Sequence, residues 1–180
     1  MNNIPLVKVF VCKICGEAYI GEKEPSRCPF CGAYEKFFVE STKYDDSGAW
    51  DVDLNEKDKT NAEKALEVEI SNNIFYKCAS EKTPELDGKK IFKILAKVEA
   101  EHASVWKKIL KLDKVEFPKY DKCAAEYKPN LEESHAREDR AIKFYSQAAA
   151  DAENPRVKEI FEAFVDVERD HLHLSEKRLK

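Results

Sequence analysis

The sequence has no excess of positive charge. Its 31 Lys and Arg face 35 Asp and Glu, for a net charge of −4, which removes the basic footprint expected of a nucleic-acid binder. It also lacks any apolar run of the roughly 18 residues that a membrane span needs. The first residues offer no basic region ahead of a long apolar stretch, because Pro5 and Lys8 interrupt Ile4, Leu6, Val7, Val9 and Phe10. No secretory signal is expected there, and the expected compartment is the cytoplasm. What remains is a chain of 180 residues, 43% apolar and 37% charged. That suffices for one domain or two small ones, with a core and well-solvated helices.

Four of the six cysteines are patterned. Cys12-Lys-Ile-Cys15-Gly16 is followed by Cys28-Pro-Phe-Cys31-Gly32. Two such pairs form a pair of metal knuckles, whose four thiolates can close a tetrahedron around one ion. Gly16 and Gly32 allow each turn a positive φ, with amides aimed at the sulfurs. The regular spacing and the cytosolic reading argue against a disulfide framework. A structural zinc ribbon and a redox-active iron centre fit the knuckles equally well. Short β signals flank them at Leu6–Val11, Ala18–Ile20 and Lys36–Val39. With so small a core, the metal must supply much of this unit's folding energy.

Residues 40–60 carry seven acids and three bases, with Ser47-Gly48 among them. This reads as a linker, either a solvated tether or a segment docked onto the rest through Trp50. Helical periodicity follows. Thr60 with Glu63 suggests a capping box opening a first helix that runs to about Ser80. The second spans about Lys89 to Leu112, and the third opens near Asn130. Asn154-Pro155 caps a fourth that reaches the C-terminus. Residues 113–129 read as one long crossover between helices two and three. The expected division is a metal-knuckle unit at 1–42, an acidic linker at 43–58 and a helical unit at 59–180.

The helical unit is an internal duplication. Val98–His102 reads VEAEH and Val167–His171 reads VERDH, and one ungapped offset of 69 residues relates them. The same offset carries Glu69 to Glu138, Phe75 to Phe144, Tyr76 to Tyr145, Ile91 to Ile160 and Phe92 to Phe161. Glu99 and His102 lie on one helical face, as do Glu168 and His171. Two hairpins joined by a long crossover make a ferritin-like four-helix bundle, so the fold class is mainly α with a small N-terminal β unit. Glu69, Glu99, Glu138 and Glu168 fall on inward, apolar stripes. Buried together as anions they would be prohibitively costly. Two divalent cations cancel four carboxylates, and one Glu from each of two helices plus Glu-x-x-His from each of the others is the carboxylate-bridged dinuclear arrangement.

On these residues the chain resembles the rubrerythrins, in the order that puts a rubredoxin-like domain ahead of the bundle. FVCKICG, RCPFCG and the Phe37-Phe38 pair resemble the rubredoxin-like module, and Glu69, Glu99, His102, Glu138, Glu168 and His171 match the di-iron ligands. Tyr76 and Tyr145 match tyrosines that support those ligands. The resemblance implies one iron in the Cys12/Cys15/Cys28/Cys31 site, with zinc as the alternative. It implies two irons in the bundle, where other divalent metals also fit. It further implies reduction of hydrogen peroxide, and of dioxygen, to water in oxidative stress defence. Electrons would come from a donor protein such as a rubredoxin or a reductase, within a head-to-tail homodimer. One departure stands out: peroxidase-type members carry a further Glu three residues after the helix-three ligand, where this chain has Ala141. An iron-oxidising, iron-handling ferritin-like protein is the alternative. A binding module with zinc knuckles is a third reading.

Other residues have plainer expectations. His135 reads as a surface or helix-end residue, His173 as solvated and Trp106 as a core plug. Glu101 and Asp170, related by the repeat, read either as solvated acids or as supports for ligand histidines. Cys78 and Cys123 read as unpaired thiols.

Overall fold

The computed structural model describes residues 6–119 and 122–180. Ile4 and Pro5, and the part of the expected crossover at 120 and 121, fall outside the described residues. Three short strands, β1 (Lys8–Cys12), β2 (Ala18–Gly21) and β3 (Phe38–Glu40), form an antiparallel sheet in the order β2-β1-β3. The register pairs Phe10 with Tyr19 on one side and Cys12 with Phe38 on the other. Four long helices follow: α1 (Glu56–Lys82), α2 (Leu86–Ile109), α3 (Tyr127–Asp151) and α4 (Pro155–Leu179). α1 packs chiefly on α2 and α3 on α4, the two hairpins that the duplication predicts. Among the described residues no helix is long and apolar enough to cross a membrane.

Four helix boundaries differ from expectation. α1 begins before Thr60 because Asn55 caps it, its side chain accepting from the Asp58 amide at 2.7 Å. Glu56 and Asp58 complement the first turn's positive end. Thr60 instead donates to the Glu56 carbonyl inside the helix. α2 starts at Leu86 with Asp87 in its first turn and ends at Ile109. α3 starts at Tyr127, which puts Pro129 in the first turn, where its missing N–H costs nothing. Asn130 closes the crossover rather than opening the helix. Its amide bonds Thr83 Oγ1 and both backbone groups of Ala124. Asn154 and Pro155 open α4 as expected, the Asn side chain accepting from the Arg156 and Val157 amides.

The expectation for Cys78 and Cys123 is overturned: they form a disulfide. The crossover folds back along α1 and brings two cysteines 45 positions apart to a Cα separation of 6.0 Å, within disulfide reach.

The knuckle unit does not float. Its buried Cys12, Ile14, Cys15, Cys28 and Cys31 join one apolar cluster with Trp106, Phe161 and Phe164 of the bundle. Lys108 of α2 donates to the Cys15 carbonyl at 2.7 Å, and Arg156 of α4 donates to the Lys13 carbonyl at 2.6 Å. Both cations also lie over the Trp50 ring. The segment 40–55 is therefore docked, with Trp50, Val52 and Leu54 against the shared cluster. Asp170 accepts from Arg27 at 2.8 Å and from the Tyr34 hydroxyl at 3.3 Å, so it fastens knuckle two to α4.

Candidate metal centres

The two knuckle turns fold alike. Gly16 and Gly32 take φ of +85° and +78°, and their amides donate to the Cys12 and Cys28 carbonyls. All four sulfurs are buried and unpaired. Cys12 lies 3.8 Å from Cys31, and Cys15 lies 3.8 Å from Cys28, sulfur to sulfur. A tetrahedron with metal–sulfur bonds of about 2.3 Å has an edge of about 3.8 Å, so one ion fits. Contact among the sulfurs holds the Cys12 and Cys28 thiols below their ordinary pKa and pushes Cys15 and Cys31 above it. A cation that relieves this competition would take all four as thiolates.

In the bundle, Glu69, Glu99, His102, Glu138 and Glu168 are fully buried and His171 nearly so. Glu69, Glu99, His102 and Glu168 form one group whose ligand atoms lie within 4.8 Å of one another; Glu99, Glu138, Glu168 and His171 form a second. Glu99 and Glu168 belong to both groups. His102 Nδ1 lies 3.5 Å from Glu69, 3.7 Å from Glu99 and 3.4 Å from Glu168. His171 Nδ1 lies 2.9 Å from Glu168 and 3.4 Å from Glu99. Both imidazoles thus aim Nδ1 inward, at the two carboxylates common to both groups. Glu69 Oε2, both Glu99 oxygens, Glu138 Oε2, Glu168 Oε1 and His102 Nδ1 are buried without hydrogen-bond partners. Such orphaned oxygens fit a dinuclear metal centre and fit a dry protein core badly.

Supporting groups complete the frame. The Tyr145 hydroxyl donates to Glu69 Oε1 at 2.5 Å, and the Tyr76 hydroxyl donates to Glu138 Oε1. Each tyrosine therefore serves the carboxylate of the other hairpin, a crossing that spacing within one helix does not reveal. Burial raises both phenols well above their ordinary pKa, so they keep their protons. His102 Nε2 sits 2.8 Å from the Cys31 carbonyl. A carbonyl only accepts, so Nε2 carries the proton and Nδ1 is left to face the carboxylates. Phe164 stacks on the His102 ring at 4.0 Å between centroids. Trp106 is fully buried against Phe161 at 4.5 Å, as a core plug should be. His135 faces Glu176 at 3.5 Å, and His173 is exposed; neither joins the cluster. Glu101 is half-buried beside the knuckle unit, and burial raises its pKa. The knuckle carbonyl, Lys108 and Arg156 escape sequence reasoning because their roles depend on how the two units meet.

The charges of the metal-free cluster follow from its surroundings. Burial drives Glu69 and Glu138 well above the ordinary carboxyl value. Burial also works against Glu99 and Glu168, yet the neighbouring His102 and His171 hold both low. Burial opposes charge on the imidazoles too, but Glu69 beside His102 and Glu168 beside His171 raise both rings well above 6.5. The surroundings therefore favour the protonated forms of Glu69, Glu138, His102 and His171. Above the unfolded values of 4.5 and 6.5 the native state binds more protons than the unfolded chain. Metal-free stability should then fall as pH rises past the unfolded imidazole value of 6.5, because protons taken up on folding become harder to supply. Metal loading should release protons and flatten that slope. Thermal unfolding against pH with and without chelator, and proton release in weak buffer, check both. A metal-free melting temperature that climbs with pH would contradict the assignment.

The rubrerythrin family model matches residues 61–179. A stretch of 34 residues is 50% identical to "Reverse rubrerythrin-1" of Clostridium acetobutylicum, covering 19% of this chain and 19% of that protein. The chain thus spans about a fifth of the length of that curated relative in the match. No solved structure matches.

Proposed function

This chain belongs to the rubrerythrin family, and from that premise we propose that it reduces hydrogen peroxide to water with electrons relayed through its four-cysteine iron. Family membership supports an oxidoreductase with a di-iron site. Peroxide as the oxidant, iron in both centres and a cytoplasmic role in oxidative stress defence are our reading. The balance is one peroxide, two electrons and two protons giving two waters, with the electrons delivered singly by a reduced donor protein such as a rubredoxin or a reductase.

Glu69, Glu99, His102, Glu138, Glu168 and His171 would hold two irons, and Cys12, Cys15, Cys28 and Cys31 one. The iron pair, when bound, supplies two-electron storage and cleavage of the O–O bond. The chain's own residues do the rest. Glu99 and Glu168 are shared by both halves of the site and fix its width. The Tyr76 and Tyr145 hydroxyls donate to Glu138 Oε1 and Glu69 Oε1, which orients both terminal carboxylates. Phe164 and Trp106 keep water from the His102 side.

The observation that carries the proposal is the hydrogen bond from His102 Nε2 to the Cys31 carbonyl. It joins the two ligand sets through a few covalent bonds and one hydrogen bond, all within a single chain. A homodimer, which the family resemblance implies, would pair two complete paths rather than exchange halves. The docked knuckle unit favours peroxide reduction over iron storage, since storage requires no built-in electron relay.

Visible absorption of anaerobically purified protein tests this reading. The expected result is a ferric tetrathiolate charge-transfer spectrum that bleaches with reductant and returns within seconds of adding peroxide. A colourless, zinc-filled knuckle unit would overturn it, as would a reduced spectrum indifferent to peroxide.

A further inference from the structure

The 69-residue repeat has a second use. Three positions after Glu69 stands Asn72, and three after Glu138 stands Ala141, and the offset that relates the ligands relates these two residues. Both are buried, Asn72 at 3% exposure and Ala141 at 2%. They form the floor of a groove of about 500 Å³ between α1 and α3, the helices that meet only sparsely across the bundle. Its rim carries Lys64, Arg137 and Arg140 together with Glu67, and Val68 and Phe144 form its walls. The floor thus lies one helical turn from each of the two terminal carboxylates.

The amide on that floor is oriented. Arg137 Nη1 donates to Asn72 Oδ1 at 3.2 Å and to Ser71 Oγ at 3.1 Å. An arginine only donates, which identifies that end of the amide as the oxygen. Asn72 Nδ2 is left buried with no partner, and an unused buried donor is expensive unless something visits it. Opposite stands a methyl group, which leaves room where any longer side chain would fill it.

We infer that the α1/α3 groove admits the oxidant and that Asn72 is a positioning residue, its Nδ2 donor meeting an oxygen of incoming hydrogen peroxide above Ala141. The inference rests on the peroxide reading and deepens it. Dioxygen is a poor hydrogen-bond acceptor and gains little from the donor, so Asn72 separates the two oxidants. The rim, with three basic residues against Glu67, does not repel a neutral peroxide and disfavours cations.

Stopped-flow reoxidation of the reduced holoprotein tests it. Asn72→Leu removes the donor at similar volume, and Asn72→Ala does so without overpacking. Either should lower the second-order rate constant for peroxide by about tenfold, the worth of one hydrogen bond, with the dioxygen rate within about twofold of wild type. Ala141→Leu narrows the passage and should slow both oxidants. A second arm uses inorganic azide, titrated spectroscopically against the oxidised protein. Its dissociation constant should weaken about tenfold in Asn72→Leu and Ala141→Leu, with metal content and the tetrathiolate spectrum unchanged. Equal peroxide and dioxygen losses in the Asn72 variants, or none, overturn the role of Asn72. Unchanged azide binding in Ala141→Leu overturns the entrance. If wild type reacts with neither oxidant, the functional reading fails by itself, and the azide arm still decides whether the groove leads to the site.

Discussion

Glu99→Ala should empty the bundle of its metal pair while leaving the four-cysteine centre intact. Glu99 is one of two carboxylates shared by both ligand groups, and neither of its oxygens has a hydrogen-bond partner. Its removal takes a bridge from both halves at once and leaves His102 and His171 facing one remaining common carboxylate, Glu168. Losing a supporting partner alone costs metal sites about 10–100-fold in affinity, and loss of a bridging ligand should cost more. Metal analysis should show about one ion per chain in place of three. Reoxidation by peroxide should drop to the level of the isolated four-cysteine centre. The visible spectrum should persist, because the four sulfurs are held by their own turns rather than by the bundle's carboxylates. Loss of both signals together would mean that the two centres fold as one unit, and the division between them would fall.

The second large effect concerns Gly32. A Cβ built there would lie 2.8 Å from Val167 Cγ1, and the residue's φ of +78° disfavours any side chain. The left-handed backbone alone costs about 1–2 kcal/mol for a residue with a Cβ. Val167 is buried and adjacent to Glu168, so it has little room to yield. Gly32→Ala should therefore push knuckle two away from α4 and stretch the bond between His102 and the Cys31 carbonyl. Both centres should still fill with metal, but electron delivery from one to the other should slow severalfold as the hydrogen-bonded path lengthens. Adding Val167→Ala should recover much of the rate, because it removes the colliding methyl groups. Single-turnover kinetics of the two variants decide it. Wild-type transfer in Gly32→Ala would show that electrons take another route.

Much of this architecture is legible in the sequence because the chemistry is periodic. The offset from Glu99-x-x-His102 to Glu168-x-x-His171 fixes two hairpins, and two CxxC-Gly turns announce the tetrathiolate site. Helix boundaries were less legible where two local signals competed. Asn55 and Thr60 both resemble caps, and only the bond to the Asp58 amide decides for Asn55. The Cys78–Cys123 bridge needs the path of the crossover, which no periodicity encodes. Lys108 lies in the last turn of α2, where a basic residue has an ordinary reason to be, whereas Arg156 lies in the first turn of α4 and its role shows only once the two units meet. Asn72 is intermediate. Its correspondence with Ala141 was present in the repeat, but its unused donor becomes visible only once Arg137 is seen to hold the oxygen.

The duplication deals equivalent ligands to both halves of the bundle, and the docked knuckle then makes the halves unlike. His102 has its outer nitrogen bound to the carbonyl of a sulfur ligand, while its repeat mate His171 pairs with Glu168 in its own helix. An ion held on the Glu69–His102 side would consequently meet an imidazole made more basic by its outer hydrogen bond, unlike an ion held on the other side. The symmetry of the ancestral repeat would survive in the coordination and be lost in the electronic structure.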